Sequence, residues 1–163
     1  MSVREIRVFG DPVLRERATP VDATSPTTAA LVQDLLDTVR LPGRAGVAAC
    51  QIGVAKAAFS YNVDGEIGYV LNPRIDEVRG EPELVDEGCL SVPELGFPTP
   101  RHPFCRVIGV DTAGEELVLE GEGLMAQMLQ HEMAHLDGRL YLQALDKEMR
   151  SIAMAEVRKA AWY

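Results

Sequence analysis

Residues 47–119 are written in short apolar or alternating runs, and helical periodicity is confined to the segments before and after them. That order constrains the fold more than any other feature. Strands grouped in one block pair with each other as hairpins, whereas a parallel sheet needs a crossover helix between successive strands. The clearest runs are residues 57–63, 68–71, 105–110 and 116–119, with turn-forming Asp64-Gly65 and Ala113-Gly114 between such runs. Residues 93–103 form a proline-rich stretch. Near the start, Ile6-Arg7-Val8-Phe9 has the composition of a strand, interrupted by Gly10-Asp11-Pro12. Ser25-Pro26 opens a helix with a capping side chain and a proline at its first position. Leu31, Leu35, Leu36 and Val39 follow at helical spacing, and Pro42-Gly43 ends the run. A second helix is predicted over residues 124–136 with Gly138 as its stop, and a third over 146–160. Helix, strand block, then helices is an α+β order.

With 163 residues and no linker, repeat or low-complexity tract, residues 1–163 are read as one domain. A chain of that size buries a core without cross-links, so a metal here would serve chemistry and not folding. The three cysteines, Cys50, Cys89 and Cys105, are an odd number without paired spacing, which argues against a disulfide framework. No apolar stretch approaches the roughly 20 residues that span a bilayer, and the start lacks the apolar core of a signal peptide. The expected location is the cytoplasm. A formal net charge of -9 repels phosphate backbones, so neither nucleic acid nor a membrane is an expected partner.

The segment richest in chemistry is Gln130-His131-Glu132-Met133-Ala134-His135. Residues four apart share one side of a helix, so both imidazoles can face one ion. Glu132, one residue beyond the first histidine, can lie beside that ion and take a proton from water without being a ligand. Two of the three histidines in the chain fall at this spacing. A water-activating metal normally has three protein ligands and an open position, and the third can be a cysteine, His102 or a carboxylate. Glu87-Gly88-Cys89-Leu90-Ser91 stands out, because the glycine would let the backbone come close to a metal or substrate. Taken alone, Cys89 reads better as a small buried hydrophobe, as most free cysteines are. In Gly46-Val47-Ala48-Ala49-Cys50-Gln51-Ile52-Gly53, small residues permit backbone pairing with an extended ligand and Gln51 can donate to a developing oxyanion. A tightly packed strand without catalytic duty has the same composition.

These three segments, together and in this order, resemble the signature motifs of the peptide deformylases, which remove formyl groups from the N-termini of new bacterial polypeptides. The resemblance extends from Gly10-Asp11-Pro12-Val13-Leu14 to Leu140-Tyr141. It implies Cys89, His131 and His135 as ligands of one divalent metal ion, with Glu132 as general base and then general acid. It also implies Gln51 and the Leu90 N–H at the oxyanion, Gly46 and Val47 along the substrate main chain, and Leu124 and Met128 around the methionine side chain. Helical spacing alone reads Leu124 and Met128 equally well as core residues. The metal it implies is Fe(II), with nickel, cobalt or zinc accepted, whereas Cys plus two His by themselves suggest zinc. N-formylmethionyl nascent peptides are the implied partners, and the tail ending Trp162-Tyr163 is a candidate for contact with a ribosome or second subunit. The expected architecture is then antiparallel sheets packed around a central metal-binding helix, with a C-terminal helix.

The chain departs from the pattern at Arg44, where the first motif usually has glycine, and at Cys50, Gln127 and Ala134. Arg44 motivates the alternatives, a deformylase-like protein of altered substrate range or a formyl-peptide-binding module with little turnover. A zinc peptidase fits H-E-x-x-H alone but leaves the Cys89 and Gln51 segments without a role. Glu87 and Arg101 are expected to pair and hold the ligand loop.

Overall fold

A computed structural model of the chain describes residues 2–163. In chain order its regular elements are α1 (Pro26–Val39), β1 (Gly46–Ala48), β2 (Ala58–Val63), β3 (Glu66–Arg79), β4 (Glu83–Cys89), β5 (Val92–Arg101), β6 (Phe104–Val110), β7 (Glu116–Glu122), α2 (Gly123–Leu136) and α3 (Lys147–Lys159). The class is α+β, as the order of periodicities requires. Five strands form one antiparallel sheet in the order β1-β2-β3-β6-β7, and β4 and β5 form a separate hairpin.

Local chemistry sets the element ends. The Ser25 hydroxyl accepts from the Thr27 N–H at 3.1 Å, and Pro26 follows as the first helical residue. Asp64 and Gly65 take positive φ values of 51° and 85°, which closes the two-residue turn between β2 and β3 with the hand that suits twisted strands. Ala113-Gly114 sits in a longer turn, where the Asp111 carboxylate accepts from the N–H groups of Ala113 and Glu115.

The large sheet is covered on both faces, which explains why β2 is buried at consecutive positions instead of alternating. Phe59 joins Met128, Leu129 and Leu136 beneath α2, while its neighbour Ala58 joins Val32, Leu35 and Val39 beneath α1. A third cluster, built from Val92, Phe97, Tyr141, Leu142, Ala153 and Val157, packs the β4–β5 hairpin against α3. Helix α2 therefore lies between the large sheet and the hairpin, and the hairpin's Cys89 can reach it.

One expectation needs correction. Residues 6–9 join no sheet: 6–8 form no regular element and Phe9 enters a turn closed by the Asp11 N–H on the Val8 carbonyl. The N-terminal segment spends its donors singly: Arg4 N–H on Thr38 Oγ1, Arg7 N–H on the Gln51 carbonyl and Phe9 N–H on the Ser91 carbonyl. A ladder needs one partner strand in register, and these acceptors belong to different elements. The proline-rich stretch lies mostly in strand β5, inside the block of predicted strands. Pro98 and Pro100 lie opposite Asp86 and Leu84. Being two apart, both lack an N–H toward the same edge, which a two-stranded sheet can leave unpaired.

Gly138 ends α2 as its position predicts. It has φ 74°, its N–H reaches the His135 carbonyl, and the Arg139 N–H reaches that of Ala134. A Cβ there would also stand 2.5 Å from the Arg15 carbonyl oxygen. Gly138→Ala is therefore expected to cost about 2–4 kcal/mol, from left-handed backbone strain plus the clash. Denaturant unfolding checks it, and a loss under about 0.5 kcal/mol would show that this turn relaxes freely.

Candidate functional site

His131 and His135 occupy successive turns of α2, and their rings meet edge-on with centroids 4.9 Å apart. Cys89 arrives from the end of β4, with Sγ 3.4 Å from His135 Nε2. One ligand atom from each of Cys89, His131 and His135 lies within 4.8 Å of the others. His102, the other candidate, points elsewhere: its Nδ1 faces the Gly80 carbonyl at 2.8 Å.

The hydrogen bonds around the two histidines orient them differently. His131 Nδ1 faces Glu87 Oε2 at 2.9 Å, which leaves its Nε2 for the cluster. Glu87 is in turn gripped by Arg101, with Nε to Oε1 at 2.9 Å and Nη2 to Oε2 at 2.5 Å, all in a buried setting. The expected Glu87–Arg101 pair is thus present. Burial alone would push the Glu87 carboxyl up, but hydrogen bonds and charge from His131 and Arg101 outweigh it and hold the group at about 2. His135 Nδ1 faces the Cys50 thiol at 3.9 Å, and burial together with the His131 charge keeps this ring well below the usual histidine range.

Glu132 is almost completely buried, and its Oε2 has no hydrogen-bond partner among the described residues. Burial pushes its carboxyl up; the nearby His131 charge opposes this and the Glu87 charge adds to it, leaving the group at about 7. A carboxylate near neutrality with a spare acceptor oxygen is the condition for a general base. Gly46, at the head of edge strand β1, makes room for it: a Cβ on Gly46 would stand 2.5 Å from Glu132 Oε1.

Gln51 is fixed at both ends. Its Oε1 accepts from the Ala48 N–H at 3.0 Å, and its Nε2 donates to Ser91 Oγ at 3.1 Å and lies 3.6 Å from Cys89 Sγ. The amide N–H therefore faces the cluster. Leu90 follows Cys89 in the turn before β5, and the Ser91 N–H reaches back to Cys89 Sγ at 3.4 Å. These residues open onto a cavity of about 540 Å³ whose walls include Arg44, Gly46, Leu90, Leu124 and Met128. Met128 is buried, whereas Leu124 is 46% exposed at the rim. Val47 is not brought to the cavity by its side chain, which is buried beneath α1, so only its backbone faces the β1 edge. Gly88 lines the cavity as well, and in the hairpin a Cβ there would lie 3.1 Å from the Leu95 carbonyl.

Three contributors escaped the sequence reading. Ser91 anchors Gln51, Cys50 abuts His135, and Tyr141 lies beneath His131 with ring centroids 6.1 Å apart at an angle of 27°. Ser91 stood inside the Cys89 motif and carried a signal. Tyr141 stood only at the far end of the resemblance, with nothing to say what it touches, since only tertiary packing brings it under His131.

The donor set fits a metal ion. A tetrahedral centre with Cys and His ligands sets S···N separations of about 3.5 Å, and the Cys89–His135 distance of 3.4 Å matches. The orphaned Glu132 oxygen beside these donors supplies an acceptor for a proton on a molecule brought to the site.

The comparisons with known proteins agree on one family. The family model described as polypeptide deformylase matches residues 3–151. A protein named peptide deformylase from Acidothermus cellulolyticus is 44% identical over 162 residues, covering 99% of this chain and 89% of that protein. Among solved structures, peptide deformylase from Legionella pneumophila superposes with a TM-score of 0.88 at 32% identity, over 97% of this chain and 95% of that one. The enzyme from Thermus thermophilus gives a TM-score of 0.88 at 38% identity, over 96% and 94%.

Proposed function

Because the chain belongs to the polypeptide deformylase family, we propose that it hydrolyses the N-formyl group from N-formylmethionyl nascent peptides, with residues 1–163 acting as one catalytic domain. The observation that carries this reading is a buried carboxylate, Glu132, with a free oxygen beside a Cys89–His131–His135 cluster. Cys89, His131 and His135 would hold one divalent ion, which we propose to be Fe(II), with zinc, nickel or cobalt as substitutes. When bound, that ion supplies Lewis acidity toward the formyl oxygen and toward water.

The chain's own groups then divide the remaining work. Glu132 accepts a proton from the attacking water through Oε2 and later returns it to the leaving amine, which departs as a free N-terminus alongside formate. The Gln51 Nε2–H and the Leu90 N–H donate to the oxyanion that develops on the formyl carbon. Gln51 needs no reorganisation for this, because Ala48 and Ser91 already fix its amide. The edge of β1 at Gly46 and Val47 pairs with the peptide main chain as an added strand. Leu124 and Met128 receive the methionine side chain in the cavity. No helix among the described residues is long and apolar enough to cross a membrane. We place the enzyme in the cytoplasm, with transient ribosome contact.

The test is formate release from a formyl-Met peptide by anaerobically prepared, iron-loaded protein. Release supports the reading. Metal binding without release favours a formyl-peptide-binding module, and cleavage of internal peptide bonds favours a peptidase.

Gly46→Ala gives a sharper check of the geometry. The added methyl must displace the Glu132 carboxylate, and misplacing a reacting group by about 1 Å costs on the order of 10²-fold in rate. The expected outcome is that loss in kcat with metal content retained. Wild-type turnover in this variant would show that Glu132 has slack the packing does not reveal.

A further inference from the structure

Among the described residues, Arg44 is the one arginine or lysine lining the cavity of about 540 Å³. Its side chain is half-buried in a chain of net charge -9. Among the described residues its guanidinium makes one hydrogen bond, Nη1 to the Thr38 carbonyl at 2.9 Å, and no ion pair. That bond has a local cause. The Thr38 carbonyl lies in the last turn of α1, and the residue four further on is Pro42, which has no N–H to offer. Arg44 supplies the missing donor, which fixes one end of the guanidinium and leaves its other N–H groups and its charge without a partner.

The direction of a bound peptide brings that charge into play. Gln51 lies beside Cys89 and Gly46 beside Glu132, so a peptide on the β1 edge with its formyl group at these residues continues past Ala45 toward Arg44. At about 3.3 Å per residue, Arg44 meets the second or third residue beyond methionine. The three cavity carboxylates do not pair with it. Glu87 is occupied by Arg101 and His131, Glu132 is buried against Gly46 and makes no ion pair among the described residues, and Glu94 is exposed on the rim with no ion pair to Arg44.

We propose that Arg44 is a specificity residue that binds a carboxylate two or three residues after the formylmethionine, so that this enzyme favours nascent chains with an early acidic residue. The proposal rests on the deformylase reading and deepens it. The carboxylate can come from an Asp or Glu side chain or from the C-terminus of a short peptide, and the test separates the two.

Three amidated peptides, formyl-Met-Ala-Asp, formyl-Met-Ala-Ser and formyl-Met-Ala-Lys, are compared by kcat/KM, with formyl-Met-Ala-Ser as the free acid alongside. The wild type is expected to favour the Asp amide over the Ser amide by about 5-fold through KM, falling as salt is raised. Arg44→Gln, which can keep the bond to Thr38, is expected to bring that ratio to about 1. A gain for the Ser free acid without a gain for the Asp amide would overturn the side-chain specificity and leave only terminal-carboxylate binding. Equal kcat/KM for the three amides, with brisk formate release, would overturn the proposal while leaving the deformylase reading intact. Calorimetric titration with the unformylated peptides reads the same charge preference without turnover, so a failure of formate release does not hide the result. Equal affinities there would equally overturn it.

Discussion

Glu132→Gln is expected to lower kcat for formate release by about 10³-fold or more, at the strong end of what a positioned acid–base group contributes. The substitution keeps shape and burial but removes the ability to take and return a proton. Glu132 is not among the three residues whose ligand atoms cluster, so metal content should be unchanged by elemental analysis. Folding should not suffer. The wild-type carboxyl is raised to about 7 by burial, so its ionised form is disfavoured in the folded state. Raised from 4.5, such an acid weakens the fold as pH rises from that value through about 7, and the neutral amide escapes this penalty. Glu132→Gln should therefore be as stable as wild type at acid pH and more stable above neutrality, measured on metal-stripped protein. A variant that kept wild-type turnover would remove Glu132 from the chemistry.

Arg101→Ala is expected to produce the largest loss of stability, about 3–5 kcal/mol, because it leaves Glu87 buried with one of its two partners gone. Arg101 and Glu87 are 8% and 5% exposed, so solvent cannot substitute for the lost fork. The loss should depend on pH with a definite sign. In the wild type the Glu87 carboxyl is held at about 2, below its ordinary 4.5, so its contribution is fully present above 4.5 and disappears as pH falls through about 2. The gap between wild type and variant should therefore be widest above 4.5 and narrow in acid. Because Glu87 also orients His131, metal affinity should fall by about 10- to 100-fold. Unfolding curves across pH and competitive chelation read the two effects separately. Unchanged metal affinity with reduced stability would confine Arg101 to structure, and no change in either would mean that the loop holds its ligand without the pair.

The candidate site was legible wherever a residue's role depends on its neighbours in the chain. His131, Glu132 and His135 declare themselves because helical periodicity places them on one side of α2, and Ser25-Pro26 and Gly138 mark helix ends through local hydrogen-bond and φ requirements. Strand pairing was less so. The 14-residue β3 was visible only in part, since its exposed half from Arg74 to Arg79 carries charges that look like loop, and β4 escaped notice among glutamates for the same reason. Residues 6–9 misled in the other direction, because apolar character cannot say whether an extended segment finds a partner strand.

Sequence by itself determined the α+β class, the ends of its helices and the residue types offered at the candidate site, because these follow from periodicity, capping and residue type. Tertiary structure decided which cysteine completes the cluster, since Cys89 lies 46 residues from His135 in sequence and reaches it only through hairpin packing against α2. It also decided the protonation of Glu132, a consequence of burial and neighbouring charge that no local pattern encodes. The unpaired charge of Arg44 is of the same kind. Its residue type is written in the chain, but its lack of a carboxylate partner among the described residues and its place on the cavity wall arise from where the surrounding elements fold.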